Sequence, residues 1–126
     1  MKYFWFPAAI LSMLLALSIW NAHSVEAEVD GWCRIVEEAR TAATRGDLYG
    51  AGKAMAELET QWLARRRYYH ALLEHDELDD AEELLARSDI ALESGNADDF
   101  AVETTALIAQ LRVIAEMQGF RIENIL

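Results

Sequence analysis

Eighteen consecutive residues without a charge, Tyr3 to Trp20 (YFWFPAAILSMLLALSIW), constrain this chain more than any other feature. At about 1.5 Å of rise per residue, a helix of that length approaches the ~20 residues needed to cross a hydrocarbon core. Trp5 and Trp20 bracket the run, where amphipathic rings favour the two membrane interfaces. Pro7 falls in the first turn, where a missing N–H costs least. Lys2 and the amino terminus precede the run, while Glu26, Glu28 and Asp30 follow it. The positive-inside bias then expects a cytoplasmic N-terminus and an extracytoplasmic remainder. The division expected is residues 1–22 as transmembrane anchor or signal segment and 23–126 as a helical domain. The alternative is a cleaved signal peptide that releases a secreted domain: Ala22-His23-Ser24 and Val25-Glu26-Ala27 offer small residues to a peptidase. Against that, the apolar run exceeds the usual 7–15 residues of a signal peptide.

Beyond the run, apolar residues recur three and four apart, the spacing of helices that bury one stripe. The first stripe is Val25, Val29, Trp32, Val36, Ala39 and Ala43, and nothing between 21 and 45 breaks its continuity with the membrane segment. Arg45-Gly46-Asp47 ends it, with Gly46 suited to a left-handed C-cap and Asp47 to capping the next helix. The second stripe is Leu48, Ala51, Met55, Leu58, Trp62, Arg65, Tyr69 and Leu72. Extending it would bury Asp76 and Asp79. A new stripe begins instead at Leu78 and passes through Ala81, Leu85, Ser88 and Leu92. The slip is about 200° of helix rotation, so a turn is expected around Glu74–Glu77, with Asp76 and Asp79 in capping-box-like positions. Ser94-Gly95-Asn96 ends the third helix. The fourth carries Phe100, Thr104, Leu107, Leu111 and Ile114 and is expected to end near Gly119, leaving Phe120 to Leu126 as a short tail against the bundle. An offset of 49 residues superposes Gly46-Asp47 on Gly95-Asn96, Ala51 on Phe100, Leu58 on Leu107 and Trp62 on Leu111. The expected fold is all-α: a membrane-spanning helix followed by an antiparallel bundle of about four helices made of two αα-hairpins.

The stretch from Trp62 to Leu126 resembles a family of short, single-span, all-helical proteins known only as a domain of unknown function (number four-three-six-three). The residues that carry the resemblance are Trp62, Tyr68-Tyr69, Leu73, His75, Glu77-Leu78-Asp79, Ala86-Arg87 and the terminal Glu123-Asn124-Ile125-Leu126. The first hairpin is similar more loosely. The resemblance implies an N-terminal anchor with a helical domain outside, and it transfers no catalytic residue. The chain departs from the family pattern at Arg65-Arg66-Arg67 and at the lone Cys33.

Chemistry is scarce. With 22 acidic residues against 11 basic, the formal charge is −11, which argues against nucleic acid as a partner. One cysteine excludes an internal disulfide; Cys33 is read as a buried small hydrophobe, the alternative being an intermolecular disulfide. Residues 74–83 hold seven carboxylates, but without the Gly and the alternation of an EF-hand loop. They suit helix capping and solvation, with a divalent cation or a basic partner as alternatives. His70, Glu74 and His75 match neither HExxH nor paired ExxH. Arg65 interrupts its stripe, as Ser88 and Thr104 interrupt theirs, and a polar layer of the three with Glu103 is expected. No nucleophile set, phosphate loop or cofactor motif occurs, so no catalytic, cofactor or metal residue is assigned. The reading is a non-enzymatic, membrane-anchored module that meets another membrane or envelope protein. Its candidate interaction surface is His75, Glu77, Asp79, Arg65, Arg66 and Arg67. Alternatives are a small metal-dependent or anion-binding protein using the same residues, and a homo-oligomeric scaffold.

Overall fold

The computed structural model describes residues 3–125, with side chains as far as Met117. Its four helices are α1 (Trp5–Thr44), α2 (Leu48–Leu72), α3 (His75–Glu93) and α4 (Ala97–Ile125), with no strand among the described residues. α1 is unbroken over 40 residues. Its apolar first half and its amphipathic second half are therefore one rod, as the lack of any breaker between 21 and 45 requires.

The two halves live in different surroundings. From Val25 onward α1 supplies Val25, Val29, Trp32, Cys33, Val36, Ala39, Ala42 and Ala43 to the core. Before it, Trp5 is 78% and Trp20 is 70% exposed, and the intervening apolar residues are largely open too. Eleven large apolar side chains between Tyr3 and Trp20 touch no core.

Two of the three turns follow from local chemistry. At the first, the Gly46 N–H donates to Ala43 O (3.0 Å) and the Asp47 N–H to Ala42 O (2.8 Å). At the second, the Gly95 N–H donates to Leu92 O (3.0 Å) and the Asn96 N–H to Ala91 O (3.1 Å). Both are Schellman closures that need a left-handed residue, and both glycines have positive φ, 85° and 70°. Asp47 Oδ1 then accepts from the Gly50 N–H, as Asn96 Oδ1 does from Asp99. The 49-residue echo is thus a repeat of turn geometry. It extends to burial: Val29 and Leu78, Ala51 and Phe100, Leu58 and Leu107 are all essentially inaccessible to solvent.

The remaining break lies at Leu73 and Glu74, whose backbones are extended, just ahead of the expected Glu74–Glu77. Glu74 occupies the N-cap without a side-chain cap hydrogen bond. Asp76 and Asp79 form no capping box; Asp76 and Glu77 sit in the first turn, where their charge complements the helix dipole. Two further expectations are corrected. Leu48 is 40% exposed rather than core, because it is the first residue of its helix. α4 continues through Gly119 to Ile125, since neither a Pro nor an N-cap follows that glycine to stop it. The reading of Phe120 to Leu126 as packed on the bundle concerns side chains outside the described ones.

Specific cross-contacts join the helices, and between α1 and α2 their numbers rise on one helix as they fall on the other. Trp32 meets Gln61 and Glu28 meets Arg65 between α1 and α2. Glu77 meets Gln110 between α3 and α4, and Asp30 meets Arg112 between α1 and α4. α1 and α4 thus carry the centre of the core.

The glycines give a test of opposite signs in the detergent-solubilised chain. Gly46→Ala forces a Cβ into a left-handed position and should cost about 1 kcal/mol of unfolding free energy. Gly31→Ala places a methyl where no atom lies within 4 Å, inside a helix, and should gain about 0.5–1 kcal/mol. Urea titration followed by circular dichroism reads both.

Candidate functional site

Three consecutive arginines on a helix point in three directions, because each residue turns the helix by about 100°. Arg65 faces α1, where its Nε donates to Glu28 Oε1 at 2.9 Å. Arg66 faces α3, where Nε lies 2.6 Å from Glu82 Oε1 and a terminal nitrogen 3.3 Å from Oε2, a forked contact. Arg67 is exposed and makes no ion pair among the described residues. The run therefore does not form one basic patch. Two of its charges are spent binding α2 to its neighbours.

Each carboxylate gathers more than its arginine. Glu28 Oε1 also accepts from the Tyr69 hydroxyl at 3.1 Å, and Glu82 Oε1 from Trp62 Nε1 at 3.1 Å. Between them lies an aromatic cluster. Trp32 meets Trp62 edge-on at 5.5 Å and Tyr69 at 5.6 Å, while Trp62 and Tyr69 stack at 6.1 Å between centroids. Arg65 lies over the Tyr68 ring at 4.3 Å, and the Tyr68 hydroxyl donates to Asn21 Oδ1, the last residue before the bundle proper. Offset and edge-on ring pairs add to the area they bury, so this cluster joins α1 to α2. Burial first, and then the charge of Glu28, push the Tyr69 hydroxyl well above its ordinary pKa. The hydrogen bond to Glu28 raises that of Arg65.

The expected polar layer is not formed. Ser88 Oγ donates to Leu84 O at 2.8 Å and Thr104 Oγ1 to Phe100 O at 2.6 Å, each within its own helix. These backbone acceptors satisfy the buried hydroxyls locally, so neither needs Arg65. Glu103 pairs with none of them.

The acidic turn is dispersed as well. His75 Nδ1 lies 3.2 Å from His70 Nδ1, across the break between α2 and α3. Glu77 accepts from Gln110 Nε2 through both its backbone oxygen (2.9 Å) and Oε2 (2.8 Å), tying α3 to α4. Asp79 is exposed. His70 Nε2 is shielded without a hydrogen-bond partner and stands 3.9 Å from Glu82 Oε1. No set of three His, Cys, Asp or Glu converges as metal ligands among the described residues. Cys33 is buried, and burial raises its thiol pKa above the ordinary value, so it is held away from both thiolate chemistry and a partner chain.

Residues 19–125 match the family described as a domain of unknown function (DUF4363). The chain belongs to that family. The match spans all four helices and starts at Ile19, so the first hairpin belongs to the family domain as fully as the second. No curated protein and no solved structure matches the chain.

Within this family member, Glu28 and Glu82 are the organising residues that sequence reading passed over. Glu28 flanks the Val25, Val29, Trp32 stripe one turn from a tryptophan, which was the available signal; Glu82 was hidden among the seven carboxylates of its run. Glu28→Ala leaves the buried Tyr69 hydroxyl without an acceptor and should cost roughly 2–3 kcal/mol, whereas Arg65, partly exposed, rehydrates. In a Tyr69→Phe background the same substitution should cost at least 1 kcal/mol less, a coupling that a double-mutant cycle in urea measures.

The raised Tyr69 also fixes an alkaline response. The folded state holds this proton more tightly than the unfolded chain, whose tyrosine titrates near ~10. The resulting stability is present in full below that pH and is lost as pH rises past it. Unfolding free energy should therefore fall above about pH 10, and Tyr69→Phe should flatten that limb of the profile.

Proposed function

We propose that this chain is a membrane-anchored interaction module. α1 crosses the bilayer once and holds an antiparallel bundle of two αα-hairpins outside the cytoplasm. The observation that carries this reading is the unburied apolar half of α1, none of which is covered by the rest of the protein. Moving eleven large apolar side chains from water into lipid, at about 2 kcal/mol each, is worth about 20 kcal/mol. From Trp5 to Ala22 the helix is about 27 Å long, close to the ~30 Å hydrocarbon thickness.

Retention of the segment is favoured over cleavage by how it enters the bundle. Asn21 accepts from Tyr68 and Val25 is fully buried, so the residues on either side of the small-residue sites are committed to packing. Cleavage there would take the Asn21 acceptor of Tyr68, and at the second site Val25 as well, away from the bundle. Lys2 before the span, with no Lys or Arg in the first residues after it, supports a cytoplasmic N-terminus. The bundle offers no nucleophile set or convergent ligand group among the described residues, and its acidic surface suits contact with another membrane or envelope protein.

Membrane flotation, intact mass and protease access from the outer side test the proposal on the full chain with a C-terminal epitope. The expected result is an uncleaved chain that floats with membranes and loses its epitope to external protease. A chain beginning after Ala22 in the soluble fraction, or an epitope shielded from protease until the membrane is breached, contradicts it.

A further inference from the structure

α2 and α3 leave between them a seam that the rest of the bundle does not fill. α1 packs along both α2 and α4, and α3 along α4, whereas α2 and α3 meet closely where Trp62 and Arg66 converge on Glu82. From that clamp toward the Gly46 and Gly95 turns, two hollows lie along the same seam. The first is bordered by the clamp itself and by Glu59, Leu63, Ala86 and Asp89. The next is bordered by Tyr49, Gly52, Lys53, Ala56, Leu92 and Glu93. Positions 52, 56, 59 and 63 form one face of α2, and 82, 86, 89 and 93 one face of α3. Gly52, Ala56 and Ala86 make a shallow small-residue floor, while Leu63 and Tyr49 stand 59% and 79% exposed at its edge.

The internal repeat supplies a more closely packed counterpart of this seam. A shift of 49 residues maps it onto the contact between α4 and α1. There Cys33 stands for Glu82, Arg40 for Asp89 and Ile108 for Glu59. Cys33 is buried and Ile108 packs against the core. That contact carries thiol, alkyl and one cation; the seam between α2 and α3 carries three carboxylates at the same positions. Asp89 makes no ion pair among the described residues. Its carboxyl is held above the usual range, first by burial and then by Glu59 and Glu93. Two cations border the seam without pairing with Asp89: Lys53 lies toward the Tyr49 ring and Arg66 is held by Glu82, which leaves Glu59, Asp89 and Glu93 in excess.

We propose that the seam between α2 and α3 is a docking groove for a cationic amphipathic helix of a partner protein. Such a helix would set its apolar face on Gly52, Ala56, Leu63 and Ala86, with Lys or Arg side chains against Glu59, Asp89 and Glu93. A second copy of this chain is the poorer occupant, because its own charge of −11 would meet the same acids. This assignment names the partner class for the interaction module proposed above, and it does not depend on which side of the membrane the bundle faces.

The test uses the full chain in nanodiscs of zwitterionic lipid, with empty discs as the blank. The probe is a labelled 18-residue helical peptide with leucines on one face, lysines on the other and one photoreactive residue. Expected are crosslinks confined to α2 and α3 between residues 49 and 66 and between 82 and 93. The double variant Glu59→Lys/Asp89→Lys should bind at least tenfold more weakly at unchanged helical content, against less than twofold for Glu37→Lys/Glu38→Lys on exposed α1. Asp89→Asn should raise the unfolding midpoint of the free protein while weakening the peptide, a sign reversal that a merely structural carboxylate does not give. Crosslinks spread over other faces, equal losses in both double variants, or crosslinks joining two copies of the chain through this groove would each overturn the proposal. Protease access in the preceding experiment is unaffected by any of these outcomes.

Discussion

The structure depends on the continuity of one helix through two kinds of sequence. Residues up to Trp20 are apolar on every side, and residues from Val25 are apolar on one side only. No proline, glycine pair or cap lies between them to let the chain bend. A helix apolar all round is stable in lipid; one with a stripe is stable against other helices. Joining the two without a break makes the position of the bundle relative to the apolar half a consequence of backbone hydrogen bonding. The bundle must then grip α1 firmly near the point where that half ends. Tyr68 on Asn21, Arg65 and Tyr69 on Glu28, and the Trp32, Trp62, Tyr69 cluster are all within three turns of that point.

α2 is the helix that needs holding. It packs between α1 and α3, and its contact with α3 is the sparser of the two. Two carboxylates compensate, Glu28 on one side and Glu82 on the other, each accepting from an aromatic and an arginine. Partly exposed ion pairs contribute little by themselves. Here their value lies in the tyrosine hydroxyl and indole N–H that they also satisfy, groups that would be costly to bury unpaired. The same clamp at Glu82 closes one end of the α2–α3 seam and leaves the other end open.

How much of this is legible in the sequence follows from the range of each interaction. The two Gly-Asx turns are local, closed within six residues, and their spacing alone reveals the repeat. The break before α3 has no such signature. It shows only as a slipped stripe, so its existence is readable while its position at Leu73–Glu74 is displaced from the expected one. The supposed layer of Arg65, Ser88 and Thr104 fails because a stripe position does not tell where a long side chain ends: the hydroxyls turn back on their own helices and Arg65 reaches sideways to Glu28. The six candidate surface residues prove to have four separate fates for the same reason. The open seam depends on the distance between two helices, a quantity that no single-helix pattern contains.

Spin labels at Ser12 and Thr41, in a Cys33→Ala background reconstituted in lipid, test the central claim directly. Both positions are exposed, one in the apolar half of α1 and the other in the bundle. A continuous helix places their backbones about 44 Å apart, and double electron–electron resonance should return one narrow distribution near that value. A broad distribution, or a markedly shorter distance, would mean that the chain bends between Trp20 and Val25 and that the bundle is not held by the anchor.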